Sequence, residues 1–215
     1  RLVAKKDFLR FPLLVRPSYV LGGRGFQVFY QPEAMLAYLA TLSWTKGQQV
    51  YLDEFLEDAI EFDVDVVCDG KDAVVCGIME HNEEAGIHSG DSSCIWPPVS
   101  VPRSCLQQIE KTALALAKKL SIVGLLNIQF IYRAGKVYVL EANPRASRTV
   151  PFISKASGVP WADIGARVCV GRRLKDLLRP YADRLTGNGN GFAVKMPVFS
   201  TRRFPGADFL LGPEM

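Results

Sequence analysis

Apolar and β-branched residues recur over Val50 to Leu56, Glu61 to Cys68 and Ala73 to Met79, with Asp69-Gly70 between the last two. That grouping predicts a three-stranded antiparallel run. Upstream, Leu13-Leu14-Val15 and Gln27-Val28-Phe29-Tyr30 read as short strands on either side of a segment holding Gly22, Gly23 and Gly25. Pro32 to Leu42 carries Met35, Leu36 and Leu39 at helical spacing, with Pro32 where a first turn tolerates it, and predicts a short surface helix. Ser104 to Leu120 places Leu106, Ile109, Ala113, Leu116, Ala117 and Leu120 on one helical stripe, and Ser104 with Gln107 resembles a capping box. Two further strands follow, Leu125 to Tyr132 and Val137 to Ala142, joined through Arg133-Ala134-Gly135-Lys136. A helix near Trp161 to Val170 ends at Gly171. The pattern predicts a mostly-sheet lobe followed by a second lobe of helices over a sheet, an α+β chain. Thr186-Gly187-Asn188-Gly189-Asn190-Gly191 reads as a flexible stretch.

Composition narrows the function classes. The chain has 215 residues, 48% apolar and 22% charged, enough to bury a core in one large domain or two small lobes. A net charge of +4, from 26 basic and 22 acidic residues, is too mild and too evenly spread for a nucleic-acid surface, and suits a small anionic ligand. Every apolar stretch is broken before the roughly 18 residues that a membrane helix needs. Five cysteines, Cys68, Cys76, Cys94, Cys105 and Cys169, never spaced as Cys-x-x-Cys, indicate neither a disulfide framework nor a zinc cluster, so a reducing cytoplasm is expected. The start at Arg1, with no initiator Met or hydrophobic signal region, and the end at Pro213-Glu214-Met215 suggest a piece of a longer chain.

Chemistry gathers at Glu141-Ala142-Asn143, where side chains two apart on a strand share a face. A three-residue hairpin loop, Ala134-Gly135-Lys136, sets Gln129 opposite Glu141 and Asn127 opposite Asn143. A two-residue loop puts Gln129 and Glu141 on opposite faces. Hard oxygen donors on one face suit a magnesium ion that carries phosphate oxygens, though a solvated hairpin face also fits the pattern. Arg145 and Arg148 follow at once, and forked guanidiniums beside a phosphoryl centre offset the charge that builds during transfer. Val20-Leu21-Gly22-Gly23-Arg24-Gly25 reads as a loop that wraps phosphates or as a plain hairpin loop. It is neither a Walker A nor a dinucleotide fingerprint. Arg16 reads either as a phosphate clamp or as an edge-strand charge. The polar run from Glu80 to Ser92 holds both histidines, His81 and His88, seven apart, which matches no zinc spacing; it reads as a loop around a nucleotide or cation, or as an ordinary solvated loop. No Gly-x-Ser-x-Gly elbow or Cys/His pairing supports a nucleophilic hydrolase.

Val15 to Arg24, Ile78 to Ser92 and Glu141 to Arg148, in that order, strongly resemble the ATP-grasp domain of the carbamoyl phosphate synthetase large chain, from about Phe11 to Met215. Tyr51-Leu52-Asp53-Glu54-Phe55-Leu56, Arg148-Thr149-Val150-Pro151-Phe152 and the stretch from Phe204 to Met215 resemble its C-terminal half, which phosphorylates carbamate. The resemblance implies an ATP-grasp fold of two α+β lobes with antiparallel sheets clamping ATP. Residues 1–95 would form a nucleotide-binding lobe with the glycine loop, and 96–215 a catalytic and metal-binding lobe. It implies that Arg16, Gly22, Gly23, Leu56, Glu61, Gly86, Ile87, His88, Ser89, Gln129 and Glu141 bind ATP. Gln129, Glu141 and Asn143 would hold Mg2+ or Mn2+, and Arg145 and Arg148 would be catalytic. Glu61, His81 and Ser92 would join a monovalent-cation site, for K+. Glu54 departs from the family, which often has histidine there, and carries no role. The implied reaction converts ATP and carbamate to ADP and carbamoyl phosphate for arginine and pyrimidine biosynthesis. Implied partners are the remaining domains of the large chain and the glutamine amidotransferase small chain. The alternatives are another ATP-grasp carboxylate ligase, or an inactive excised module that binds nucleotide or only packs.

Overall fold

The computed structural model describes residues 10–18, 25–42, 49–87, 89–186, 191–198 and 206. Their contacts form two units, one drawn from the described residues of 10–58 with 85–87 and 206, the other from 59–84 with 89–186 and 191–198. In the first, β1 (Leu13–Pro17) is the middle strand of an antiparallel sheet, with β2 (Gln27–Phe29) on one side and β3 (Val50–Glu54) on the other. Helix α1 (Pro32–Thr41), which begins on proline, buries Met35 and Leu39 with Leu13 and Val15 of β1. The expected grouping of residues 50–56 with the next two strands is therefore corrected: β3 pairs with β1, from Leu13 opposite Glu54 to Pro17 opposite Val50. Local pattern marks a strand but carries no information on a partner so far away in sequence. Gly22, Gly23 and His88 lie outside the described residues, as does most of the 186–191 stretch.

The second unit is built on a six-stranded antiparallel sheet. Its strands are β4 (Ile60–Asp69), β5 (Ala73–His81), β6 (Cys94–Trp96), β7 (Val123–Arg133), β8 (Lys136–Asn143) and β9 (Ala193–Lys195), in the order β8-β7-β4-β5-β6-β9. The expected division between residues 95 and 96 falls inside β6 and so inside this sheet; the contacts place it after Asp58. Side chains on a strand alternate between faces. Phe62, Val64, Val66 and Cys68 of β4, with Leu126, Ile128 and Phe130 of β7, pack on α2 (Arg103–Lys119) through its Cys105, Ile109, Ala113 and Ala117. Leu106 and Leu116 of the expected stripe lie at its margin, and Leu120 is exposed. The capping box does not form, because the N-cap lies two residues early: it is Pro102, and Ser104 already sits in the first turn.

The opposite face is apolar at one end and polar at the other. Around Val67, Met79 and Leu125 it is covered by α3 (Val150–Ser157), α4 (Trp161–Cys169) and α5 (Leu174–Leu178), which bury Ile153, Trp161, Ile164 and Leu174. A 3-10 turn, Arg179–Tyr181, leads to α6 (Ala182–Thr186). Gly77 lets α3 seat on the sheet, since a Cβ there would lie 2.5 Å from Ile153 Cδ1. Beyond the helices, the same face carries Glu61, Asp63 and Asp65 of β4 and Asn127 and Gln129 of β7, with Ile131 beside Glu61.

Candidate functional site

Two rows of polar residues cross that part of the sheet. Asp63 of β4 pairs with Gln129 of β7, which pairs with Glu141 of β8; Asp65 pairs with Asn127, which pairs with Asn143. Paired residues share a face and hold their Cβ atoms about 5 Å apart. The register of Gln129 and Glu141 arises by a route that the sequence reading did not contain. The hairpin loop has two residues, with Arg133 opposite Lys136, but Phe130 pairs with Val139 while Gln129 pairs with Glu141. Leu140 is therefore an extra residue in β8, a β-bulge that shifts the later pairs by one and brings the amide and the carboxylate opposite each other.

Glu141 is exposed and Gln129 and Asn143 are half-buried. Asn143 Nδ2 donates to Glu141 Oε1 at 2.7 Å, which leaves the amide oxygen of Asn143 to accept or ligate. This set offers only hard oxygen donors, one of them anionic, and so fits a Mg2+ ion that keeps several oxygens from water or phosphate. Arg145 and Arg148 are exposed in the segment between β8 and α3. Arg145 Nη1 donates to the Ala146 carbonyl at 3.1 Å.

Apart from Asn127, the buried part of the site was missed by the sequence reading. Asp63, Asp65, Asn127 and Thr149 are each 3% exposed or less. Asn127 Nδ2 donates to Asp63 Oδ1 at 3.2 Å and to Asp65 Oδ1 at 3.1 Å. Burial raises the Asp65 carboxyl, and hydrogen bonds from Thr149, Ser147 and Asn127 only partly offset it. Burial also acts on Asp63, but the hydrogen bond and charge of His81 outweigh it and hold that carboxyl below the usual range. The signal was available in Glu61-Phe62-Asp63-Val64-Asp65, where acids alternate with apolar residues at the period of a strand.

At the far end of β5, His81 Nε2 lies 3.0 Å from Asp63 Oδ2, and Nδ1 faces Glu61 Oε1 across 3.9 Å. Glu80 and His81 belong to the strand, so the expected polar loop starts at Asn82. Burial works against charge on the imidazole, but Asp63 and the neighbouring Cys94 push it up to about 10. Glu61, His81 and Ser92 are all buried. Ser89 accepts from Lys195 Nζ through its carbonyl at 2.7 Å, a basic partner from β9 that the sequence reading did not single out.

In the other unit, Arg16 is on the middle strand and not at an edge. Its guanidinium is paired with Asp53 and lies 5.6 Å from the centre of the Tyr51 ring and 5.9 Å from that of Phe26. Leu56, Gly86 and Ile87 are half-buried, and Gly86 has φ 98°.

Comparison with known proteins decides the family. The family model described as carbamoyl-phosphate synthase L chain, ATP binding domain, matches residues 2–177. The chain belongs to that family. It is 47% identical over 216 residues to the carbamoyl phosphate synthase large chain of Acidobacterium capsulatum, covering 99% of this chain and 20% of that one. It is 44% identical over 220 residues to the large chain, C-terminal section, of Methanocaldococcus jannaschii, covering 99% of this chain and 35% of that one. The chain thus spans about a fifth of the first of these relatives and about a third of the second. Among solved structures, the biotin carboxylase domain of Hydrogenobacter thermophilus 2-oxoglutarate carboxylase, in complex with MgADP, ADP and bicarbonate, matches with a TM-score of 0.63 at 19% identity. That match covers 78% of this chain and 38% of the other. Rhizobium etli pyruvate carboxylase matches with a TM-score of 0.59 at 19% identity, covering 76% of this chain and 15% of that one. The fold is therefore the α+β ATP-grasp fold expected from the sequence. No helix among the described residues is long and apolar enough to cross a membrane.

Proposed function

We propose that this chain is the part of a carbamoyl phosphate synthase large chain that transfers the γ-phosphoryl group of ATP to carbamate. The observation that carries the proposal is the row formed by Gln129 and Glu141, with Asn143 on the same face and Arg145 and Arg148 in the segment that follows. Identity to the C-terminal section of the Methanocaldococcus jannaschii large chain supports placement in the C-terminal half.

A carbamate oxygen attacks the γ-phosphorus, the bond to the β–γ bridging oxygen breaks, and its electron pair leaves with ADP. No proton moves and no covalent bond to the protein forms. Gln129, Glu141 and Asn143 would hold Mg2+, or Mn2+, which when bound neutralises the charge on the phosphate oxygens. Arg145 and Arg148 hold the carboxylate of carbamate and stabilise charge on the transferring group. The nucleotide roles of Arg16, Gly22, Gly23, Leu56, Glu61, Gly86, Ile87, His88 and Ser89 are proposed on the sequence resemblance, as is a K+ site at Glu61, His81 and Ser92. The remaining large-chain domains and a glutamine amidotransferase small chain are the proposed partners. The cytoplasm is the proposed compartment, and arginine and pyrimidine biosynthesis the proposed destinations of the product.

The test is Glu141→Gln in the complete protein, followed by ATP formation from ADP and carbamoyl phosphate. Loss of at least about a hundredfold in turnover is expected, since a charged metal-holding group is removed. Parental turnover would remove Glu141 from the chemistry.

A further inference from the structure

The segment that carries Arg145 and Arg148 has no regular secondary structure of its own, yet paired guanidiniums act on a phosphoryl centre only when held in place. Its anchor is a single buried carboxylate. Ser147 Oγ donates to Asp65 Oδ1 at 2.7 Å, and Thr149 Oγ1 donates to Asp65 Oδ2 at 2.6 Å. The two hydroxyls lie 2.6 Å apart, and the backbone N–H of Thr149 donates to Ser147 Oγ at 3.1 Å. Arg148 is thus bracketed by the two side chains that dock on Asp65, and Arg145 lies two residues before the first of them.

Thr149 occupies the N-cap position of α3 but makes no side-chain cap bond there. Its hydroxyl is committed to Asp65 instead, 84 residues away in sequence. A carboxylate that is 1% exposed is costly to bury, and here the cost is met by side-chain donors from a distant segment and from Asn127. Asn127 in turn pairs with Asn143, so one strand residue sets both the arginine segment and the proposed metal row in register.

We infer that Asp65 is a positioning residue: acting through Ser147 and Thr149, it fixes Arg145 and Arg148 relative to Gln129, Glu141 and Asn143. The inference rests on the phosphoryl-transfer reading above and extends it to a residue that touches neither nucleotide nor carbamate.

The experiment uses the complete protein and compares Thr149→Val, Thr149→Ser, Asp65→Asn and Arg148→Ala. Two quantities are read: turnover for ATP formation from ADP and carbamoyl phosphate, and the Kd for magnesium with a nonhydrolysable ATP analogue. Misplacing the arginines lowers turnover about tenfold to a hundredfold in Thr149→Val and Asp65→Asn, with the Kd kept within about twofold. Thr149→Ser keeps the hydroxyl and recovers turnover to within about threefold of the parent. Thr149→Val at parental turnover, or a loss of nucleotide affinity as large as the loss of turnover, would overturn the inference. Arg148→Ala separates the two levels. If it loses turnover while Thr149→Val does not, the anchoring fails and the reading of the site stands; if it keeps parental turnover, the reading of the arginines fails and the anchoring falls with it.

Discussion

Gln129 stands directly opposite Glu141 although only Ala134 and Gly135 turn the hairpin between them, because Leu140 is an unpaired extra residue in the second strand. Ala134 and Gly135 have φ of 47° and 81°, the left-handed values that a two-residue turn of this kind requires. Glycine adopts them without strain, whereas alanine does not. Ala134→Asn should therefore raise stability by about 0.5 kcal/mol, and Gly135→Ala should lower it by about 1 kcal/mol. Chemical denaturation of the two variants checks both signs; a destabilised Ala134→Asn would argue against the turn.

A second prediction concerns pH. His81 is faced by Asp63 and Glu61 from β4 and by Cys94 from β6, while the charge of Lys195 on β9 acts on Asp63. Its folded value, about 10, lies above the ordinary 6.5. A raised histidine stabilises fully below its unfolded value and loses that contribution as pH climbs through the folded one. Unfolding free energy should thus decline from about pH 6.5 to about pH 10, and decline less steeply in His81→Gln. Denaturant midpoints across that window provide the measurement, and parallel curves would contradict the assignment.

Packing makes a prediction with an unusual sign. Glycine to alanine inside a helix ordinarily gains stability, by about 1 kcal/mol. At Gly165 of α4, however, a Cβ would lie 2.7 Å from Leu125 Cγ and 2.8 Å from its Cδ1 on β7. Gly165→Ala should lose about 1–3 kcal/mol, and adding Leu125→Val should restore part of it. A higher melting temperature for the single variant would show that the helix does not press on the sheet there.

What the sequence revealed follows from how local each interaction is. Periodicity alone finds α2, α4, β7 and β8, because Ile109, Ala113 and Ala117, or the residues flanking Ala134-Gly135, report their own neighbourhood. It misplaces β3, whose partner β1 lies well upstream, and it gives no hint of the bulge at Leu140, which depends on the pairing strand. The row of polar residues on β7 and β8 was legible through Glu141 and Asn143, two apart on one strand. Its buried support was not, because Asp65 meets Ser147 and Thr149 across 82 and 84 residues of chain. Helix α3 was also missed: Pro151 near its start masks a segment whose Val150 and Ile153 are buried only by tertiary contact.

The central claim is that Gln129, Glu141 and Asn143 form one metal and nucleotide site. Calorimetric titration of the complete protein with magnesium and a nonhydrolysable ATP analogue, run on the parent and on Glu141→Ala, tests it most directly. Saturable heat in the parent and at least about a tenfold weaker Kd in the variant are predicted, the loss expected for a charged ligand group. Equal affinity in the two proteins would contradict it.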